Sequence, residues 1–127
     1  MVASEGFLAG VCDAWEQEAF AAENLGLRVV PLRFGVVLSP LGGALGRLLP
    51  VFSAGLGGRL GSGRQWMSWV AIDDVLGAIY HAVLDQRCNG PVNVVAPEPV
   101  TNQEFCSVLA RVLKRPAVLP VPGVALR

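Results

Sequence analysis

The stretch GLGGRLGSGRQWMSW, Gly55 to Trp69, holds the spacing in this chain most suggestive of chemistry. Glycine-rich loops bring backbone amides close to phosphates, and a guanidinium can grip a phosphate through two parallel N–H groups. Gly58 to Gly63 followed by Arg64-Gln65 is close to a nucleotide-binding P-loop. The lysine that reaches the phosphates and the hydroxyl that binds magnesium are both missing, so that motif is excluded. Gly55-Leu56-Gly57-Gly58 begins like a dinucleotide fingerprint, but Leu60 occupies the place of the third glycine. Asp73-Asp74 is an acidic pair of the kind that opens a helix, and Asp73 reads as its cap rather than as a base. His81 lies inside AIYHAV with no second ligand or nucleophile nearby and reads as structural. Cys12, Cys88 and Cys106 form an odd set without Cys-x-x-Cys spacing, which points to reduced core thiols rather than disulfides or zinc.

The elements that must position these residues alternate between helix and strand. Ser4 can cap a helix whose apolar positions Phe7, Val11, Trp15, Ala19 and Ala22 recur at helical spacing, with Asn24-Leu25-Gly26 as its stop. Leu27 to Phe34 is near-continuously apolar, as a parallel strand covered on both faces should be, although Pro31 removes one ladder donor. A helix is expected over Ala44 to Ser53 and a loop over Gly55 to Arg64, with a strand-like run over Gln65 to Val70. Trp66 and Trp69 are expected in the core. A helix with apolar positions Val75, Ile79 and Val83 follows, ended by Asn89-Gly90; Pro91 to Ala96 is the next strand. Thr101-Asn102-Gln103-Glu104 spells a capping box for a helix carrying Phe105, Leu109 and Val112, stopped by Pro116. Ala117 to Val121 reads as a last short strand.

Composition narrows the function. Of 127 residues, 53% are hydrophobic and 16% charged, so much of the surface of these elements needs burial. Ten basic residues balance ten acidic ones, which removes the charge excess that nucleic acid or anionic lipid requires. Between Phe34 and Gly58 the chain is nearly uncharged, but Pro40, Pro50 and repeated glycines interrupt any membrane-length helix. The opening MVASE has no basic region followed by an apolar core, and cytoplasm is the expected compartment.

Taken in order, a Trp-Glu helix, a strand ending RFGVVLSP, the segment GSGRQWMSWVAIDD, the strand VNVVAP and a TNQEF helix start resemble the C-terminal half of extended short-chain dehydrogenase/reductases. Within that family they are most similar to epimerase-like (NAD-dependent epimerase/dehydratase) members of unassigned reaction, and the resemblance covers nearly the whole chain. It implies an α/β fold, the C-terminal part of a doubly wound Rossmann-type domain with a small substrate-binding lobe. Residues 1–127 would be that portion, and the N-terminal half with the glycine fingerprint would be absent. The cofactor implied is NAD or NADP, with NADP favoured. Arg33 to Pro40 would pass beside the nicotinamide, with Gly35, Val36 and Val37 in contact, since ligands of open α/β sheets lie outside the carboxyl ends of the strands. A plain buried strand leading into a turn fits the same residues. Arg64 would hold a substrate diphosphate, with Gln65, Trp66 and Ser68 beside it; a solvated loop arginine is the alternative.

The same resemblance marks a departure. The family's Tyr-x-x-x-Lys pair, an acid-base tyrosine and a lysine that lowers its pKa, would fall on the first helix, where this chain has Phe7 and Val11. Neither transfers a proton, so no catalytic residue is named. Implied partners are a small-molecule substrate and either a second copy through helix 4–24 or a missing N-terminal half; Glu16 and Glu18 would form that helix's solvated side. The expected function is part of an NAD(P)-dependent epimerase/dehydratase-like oxidoreductase, inactive alone, on a small, sugar-nucleotide-like substrate. The alternative is a non-enzymatic α/β assembly or regulatory module.

Overall fold

The computed structural model describes residues 6–116. Four helices and six short strands alternate along them: α1 Phe7–Ala21, β1 Leu32–Phe34, β2 Val36–Leu38, α2 Gly43–Ser53, β3 Trp66–Met67, β4 Trp69–Ala71, α3 Ile72–Leu84, β5 Val92–Val94, β6 Val100–Thr101 and α4 Asn102–Leu113. This is the expected α/β class. The expected Ser4 cap and the strand at Ala117 to Val121 lie outside the described residues. Contacts gather the chain into two compact units, residues 6–33 with 78–93 and residues 34–77 with 94–116.

In the first unit, α1 runs into a 3-10 turn, Ala22–Leu25, and stops at Gly26, whose φ of 76° is the left-handed conformation that glycine adopts without strain. None of the residues of α1 is buried. The helical spacing is real, but the stripe it creates faces outward here, with Phe7 84% exposed. The strand expected over Leu27 to Phe34 contracts to β1, which pairs with β5. Pro31 has no N–H to place in a ladder, and only its carbonyl is used, accepting from Val92 N–H at 2.9 Å. Arg28 does not extend the strand either. Its guanidinium donates to the carbonyls of Ala82, Val83 and Cys88 at 2.8, 3.1 and 2.9 Å. Two of these belong to the last turn of α3, where carbonyls lack helical partners and a cation is favoured.

The second unit is built on a βαβ crossover. β2 and β4 are parallel, with Val36 opposite Trp69 and Leu38 opposite Ala71, and α2 lies between them in the chain. The alternating run Gln65 to Val70 does not form one strand. It divides at Ser68: β3 pairs antiparallel with β6, while β4 pairs with β2. The cause is a close backbone approach. The Ser68 carbonyl accepts from Val36 N–H at 2.8 Å, and a Cβ on Gly35 would lie 2.6 Å from that same oxygen. Only glycine permits the meeting, and the strand kinks to make it.

Helix α4 packs on α2 through Phe52, Cys106 and Ala110, joined by Leu48, Phe105, Leu109 and Leu113. Phe52 is 1% exposed, a burial that stabilises by about 1.5–3 kcal/mol. The capping box is present: the Thr101 hydroxyl accepts from Glu104 N–H, and the Glu104 carboxylate accepts from Thr101 N–H. The inward face of α4 is rotated from the expected one, because Cys106 and Ala110 are buried while Val112 is exposed. In α3 the buried residues are Val75 and Ala82; Ile79 and Val83 are exposed. Of the three cysteines, all free, Cys106 is buried, but Cys12 is exposed on α1, against the expectation of core thiols.

Candidate functional site

The expected cofactor and substrate residues all fall in the second unit. Gly35 links β1 to β2, and Val36 and Val37 begin β2. The amides of Gly35 and Val36 already have partners within the protein: Gly35 N–H donates to the Val94 carbonyl at 3.3 Å and Val36 N–H to Ser68. Those two N–H groups are therefore engaged within the protein. In a parallel ladder successive residues turn their N–H and C=O to opposite edges. Val36 points toward β4, so Val37 points away from it, and β4 is the one strand beside β2 among the described residues. Val37 thus carries the donor and acceptor that a ligand lying along this strand could reach.

Arg64 stands in the loop between α2 and β3. Gly61 and Gly63, at φ 56° and 71°, take the left-handed turns that curl this loop, and Ser62 Oγ accepts from Arg64 N–H at 3.3 Å. Among the described residues no hydrogen bond or ion pair engages the Arg64 guanidinium, and the residue is exposed. Gln65 is differently placed. Its side-chain amide donates to the Leu60 carbonyl at 3.0 Å and its own carbonyl accepts from Asn102 N–H at 2.9 Å, so it braces the loop. Trp66 is 71% exposed rather than in the core, because β3 has one neighbour and this face of it is uncovered. Trp69 is half-buried, its indole N–H donating to the Glu98 carbonyl at 3.2 Å. With Leu38, Val100, Phe105 and Val108 it lines an apolar cavity of about 210 Å³. Ser68 is exposed and contributes chiefly its carbonyl.

The N-terminus of α4 is not open to an anion. The amides of Asn102 and Gln103 donate to the carbonyls of Gln65 and Gly63, both at 2.9 Å, and that of Glu104 to Thr101. Asp73 lies one residue inside α3, in its first turn beside Asp74, rather than capping it; the helix begins directly at the end of β4 with Ile72. His81 is exposed, 3.7 Å from Asp85 one turn on. Glu16 departs from the solvated role expected of it. Its two oxygens accept from Arg33 Nε and Nη2, each at 2.6 Å, and that contact lowers the Glu16 pKa and raises that of Arg33. Sequence reasoning passed over Asn102, a buried polar residue of this unit, because the capping-box pattern explained its neighbours. Among the described residues no group of three His, Cys, Asp or Glu side chains could hold a metal ion, and no helix is long and apolar enough to cross a membrane.

No protein-family model matches the chain. Sequence comparison finds a protein of Mycobacterium bovis named as an epimerase family protein, 50% identical over 125 residues, covering 98% of this chain and 42% of the relative. An Arabidopsis thaliana epimerase family protein described as chloroplastic is 46% identical over 121 residues, covering 95% of this chain and 35% of the relative. The chain thus spans about two fifths of the length of the curated relatives it matches. Among solved structures, the human epimerase family protein SDR39U1 crystallised with NADPH is 41% identical at a TM-score of 0.76, over 78% of this chain and 34% of that one. A nucleoside-diphosphate sugar epimerase of Corynebacterium glutamicum is 39% identical at 0.77, over 97% and 27%. A Thermus thermophilus UDP-glucose 4-epimerase in complex with NAD is 25% identical at 0.69, over 90% and 40%.

Proposed function

This chain corresponds to the C-terminal part of the epimerase family proteins, and its fold is part of their Rossmann-type fold; from that premise we propose that it forms the nicotinamide-side strand and the substrate lobe of an NAD(P)-dependent epimerase- or dehydratase-like oxidoreductase. The substrate is small and anionic, of the sugar-nucleotide kind. The observation that carries this reading is the run Arg33 to Pro40, in which Gly35 seats β2 against β4 while Val37 turns its N–H and C=O away from β4, to an edge where no strand pairs with β2 among the described residues. That edge suits a carboxamide, which offers one donor and one acceptor group in a plane. Bound there, a nicotinamide would supply a hydride acceptor or donor. Gly35, Val36 and Val37 are its proposed contacts in this chain; Arg64, with Gln65, Trp66 and Ser68 around it, is the proposed holder of substrate phosphate. The human relative's NADPH and the Thermus relative's NAD agree with a nicotinamide cofactor and leave both forms in play.

Acid-base chemistry is not assigned to this chain, because Phe7 and Val11 stand where the family's tyrosine and lysine would be expected. Three free cysteines suit a reducing compartment such as the cytoplasm. The test is a titration of NADPH and of NADH on this chain alone and on the chain joined to the N-terminal part of a relative. Alone, without a glycine fingerprint to hold the pyrophosphate, it should bind weakly or not at all. Joined, it should bind. A sub-micromolar dissociation constant for the isolated chain would sink the division of labour proposed here. No binding in the joined protein would leave the non-enzymatic module as the surviving reading.

A further inference from the structure

We propose that Asn102 is a positioning residue for the substrate-side loop, holding the arc from Leu60 to Gln65 by both ends so that Arg64 is presented at its turn. The proposal rests on the reading of Arg64 as a phosphate holder. Asn102 is 4% exposed, and its side chain is not needed to cap α4, since Thr101 already does that. Instead Asn102 Oδ1 accepts from Leu60 N–H at 2.8 Å, at the start of the arc, while Asn102 N–H donates to the Gln65 carbonyl, at its end. Gln103 N–H reaches the Gly63 carbonyl between them, and the Gln65 amide closes the arc on the Leu60 carbonyl. With the turn bonds Gly63 N–H to the Leu60 carbonyl and Arg64 N–H to Ser62 Oγ, six hydrogen bonds fix six residues of backbone, and three of them involve the first two residues of α4. Among the described residues the Asn102 side-chain amide nitrogen meets only Met67 Sδ, at 3.8 Å, so the side-chain oxygen is the group that matters. The cavity beside Trp69 and the outward stripe of α1 have no comparable internal logic.

This separates two functions within one residue. The backbone N–H of Asn102 holds the Gln65 end of the arc and would survive substitution; the side chain holds the Leu60 end and would not. Removing it leaves Leu60 N–H without a partner in a partly buried place, and the arc then opens at that end.

Trypsin cuts after arginine, and Arg59 and Arg64 bracket the arc, so nicking reads the loop directly in the full 127-residue chain. Asn102→Ala should raise cleavage after Arg59 and Arg64 about tenfold, the opening expected when one buried hydrogen bond is lost. Cleavage after the exposed Arg87 should stay unchanged. Asn102→Asp retains an oxygen for Leu60 N–H and should restore slow cleavage. Unchanged cleavage in Asn102→Ala, or no restoration in Asn102→Asp, overturns the proposal. If Asn102→Ala unfolds, cleavage rises at Arg87 too, and amide exchange in the unaltered protein decides: Leu60 N–H should be protected about tenfold or more relative to Arg59 N–H. Exchange of Leu60 at the unprotected rate overturns it. Binding of inorganic pyrophosphate to the unaltered chain and to Arg64→Ala judges the reading of Arg64 separately, since neither measurement touches Asn102.

Discussion

Arg64 and Glu16 show how differently two charged side chains can be treated by one fold. Glu16 is locked to Arg33 by two short hydrogen bonds, whereas the Arg64 guanidinium has no such engagement among the described residues. An unengaged guanidinium beside an exposed tryptophan is a residue available to a ligand. Arg64→Ala in the joined protein should therefore weaken an anionic ligand such as UDP by about 1.5–3 kcal/mol more than a neutral one such as uridine, the range for hydrogen bonds to charged groups. Isothermal titration of both ligands checks it, and equal losses would return Arg64 to the ordinary loop residues. The local geometry of the candidate site was partly legible in the sequence. The order of segments, through the family resemblance, marked Gly35 and Arg64; by residue type alone a buried strand end and a solvated loop arginine fitted them as well. Gln65 and Trp66 were not separable from their neighbours. Whether a glutamine faces a ligand or its own loop depends on Leu60 and Asn102, the latter well removed in the chain.

Among the elements, the junction of β2 with β4 and the start of α4 are the two places where single residues decide the geometry. Gly35→Ala would press a methyl group onto the Ser68 carbonyl, a rigid backbone atom, and should cost about 1–3 kcal/mol by urea unfolding. A loss below about 0.5 kcal/mol would mean the junction is looser than described. Thr101→Ala removes the cap of α4 and should cost about 1 kcal/mol. The cap also carries a pH signature. Hydrogen bonds from Thr101 N–H, and then from its hydroxyl, hold the Glu104 pKa below its ordinary value. A carboxylate with a depressed folded pKa contributes its stability above the ordinary glutamate range and loses it as pH falls through the lowered value. Thermal unfolding of Glu104→Gln should accordingly depend less steeply on pH below about 4.5 than that of the unaltered chain. The cap of α4, the stop at Gly26 and helix α2 were legible because their causes are local: Thr101 and Glu104 are three residues apart, and Gly26 ends the 3-10 turn that follows α1. Pro91 to Ala96 held as β5, but the runs Leu27 to Phe34 and Gln65 to Val70 did not hold whole, because Pro31 and Ser68 break sequences that look continuous. Ser68 breaks its run for the sake of Gly35, which no window of a few residues contains.

On the scale of the whole molecule, many large apolar side chains stay exposed among the described residues. Phe7 is exposed here, so Phe7→Leu should change the stability of this chain by less than about 0.5 kcal/mol. In the joined protein, where α1 is expected to be covered, the same change should cost up to about 1.5 kcal/mol. Paired chemical denaturation curves give the comparison, and identical small losses in both would leave α1 a surface helix. The outward residues of α1 are not isolated cases, since Leu41 and Tyr80 are also largely exposed. The chain meanwhile has a formal net charge of zero and a sequence pI near 6.5. Seen as a colloid, such a particle has adhesive patches and almost no repulsion to keep its neighbours apart. Its osmotic second virial coefficient should be negative at neutral pH and lowest near its pI. It should climb toward positive values as alkali builds up charge, so that concentrated solutions cloud where most enzymes are routinely stored.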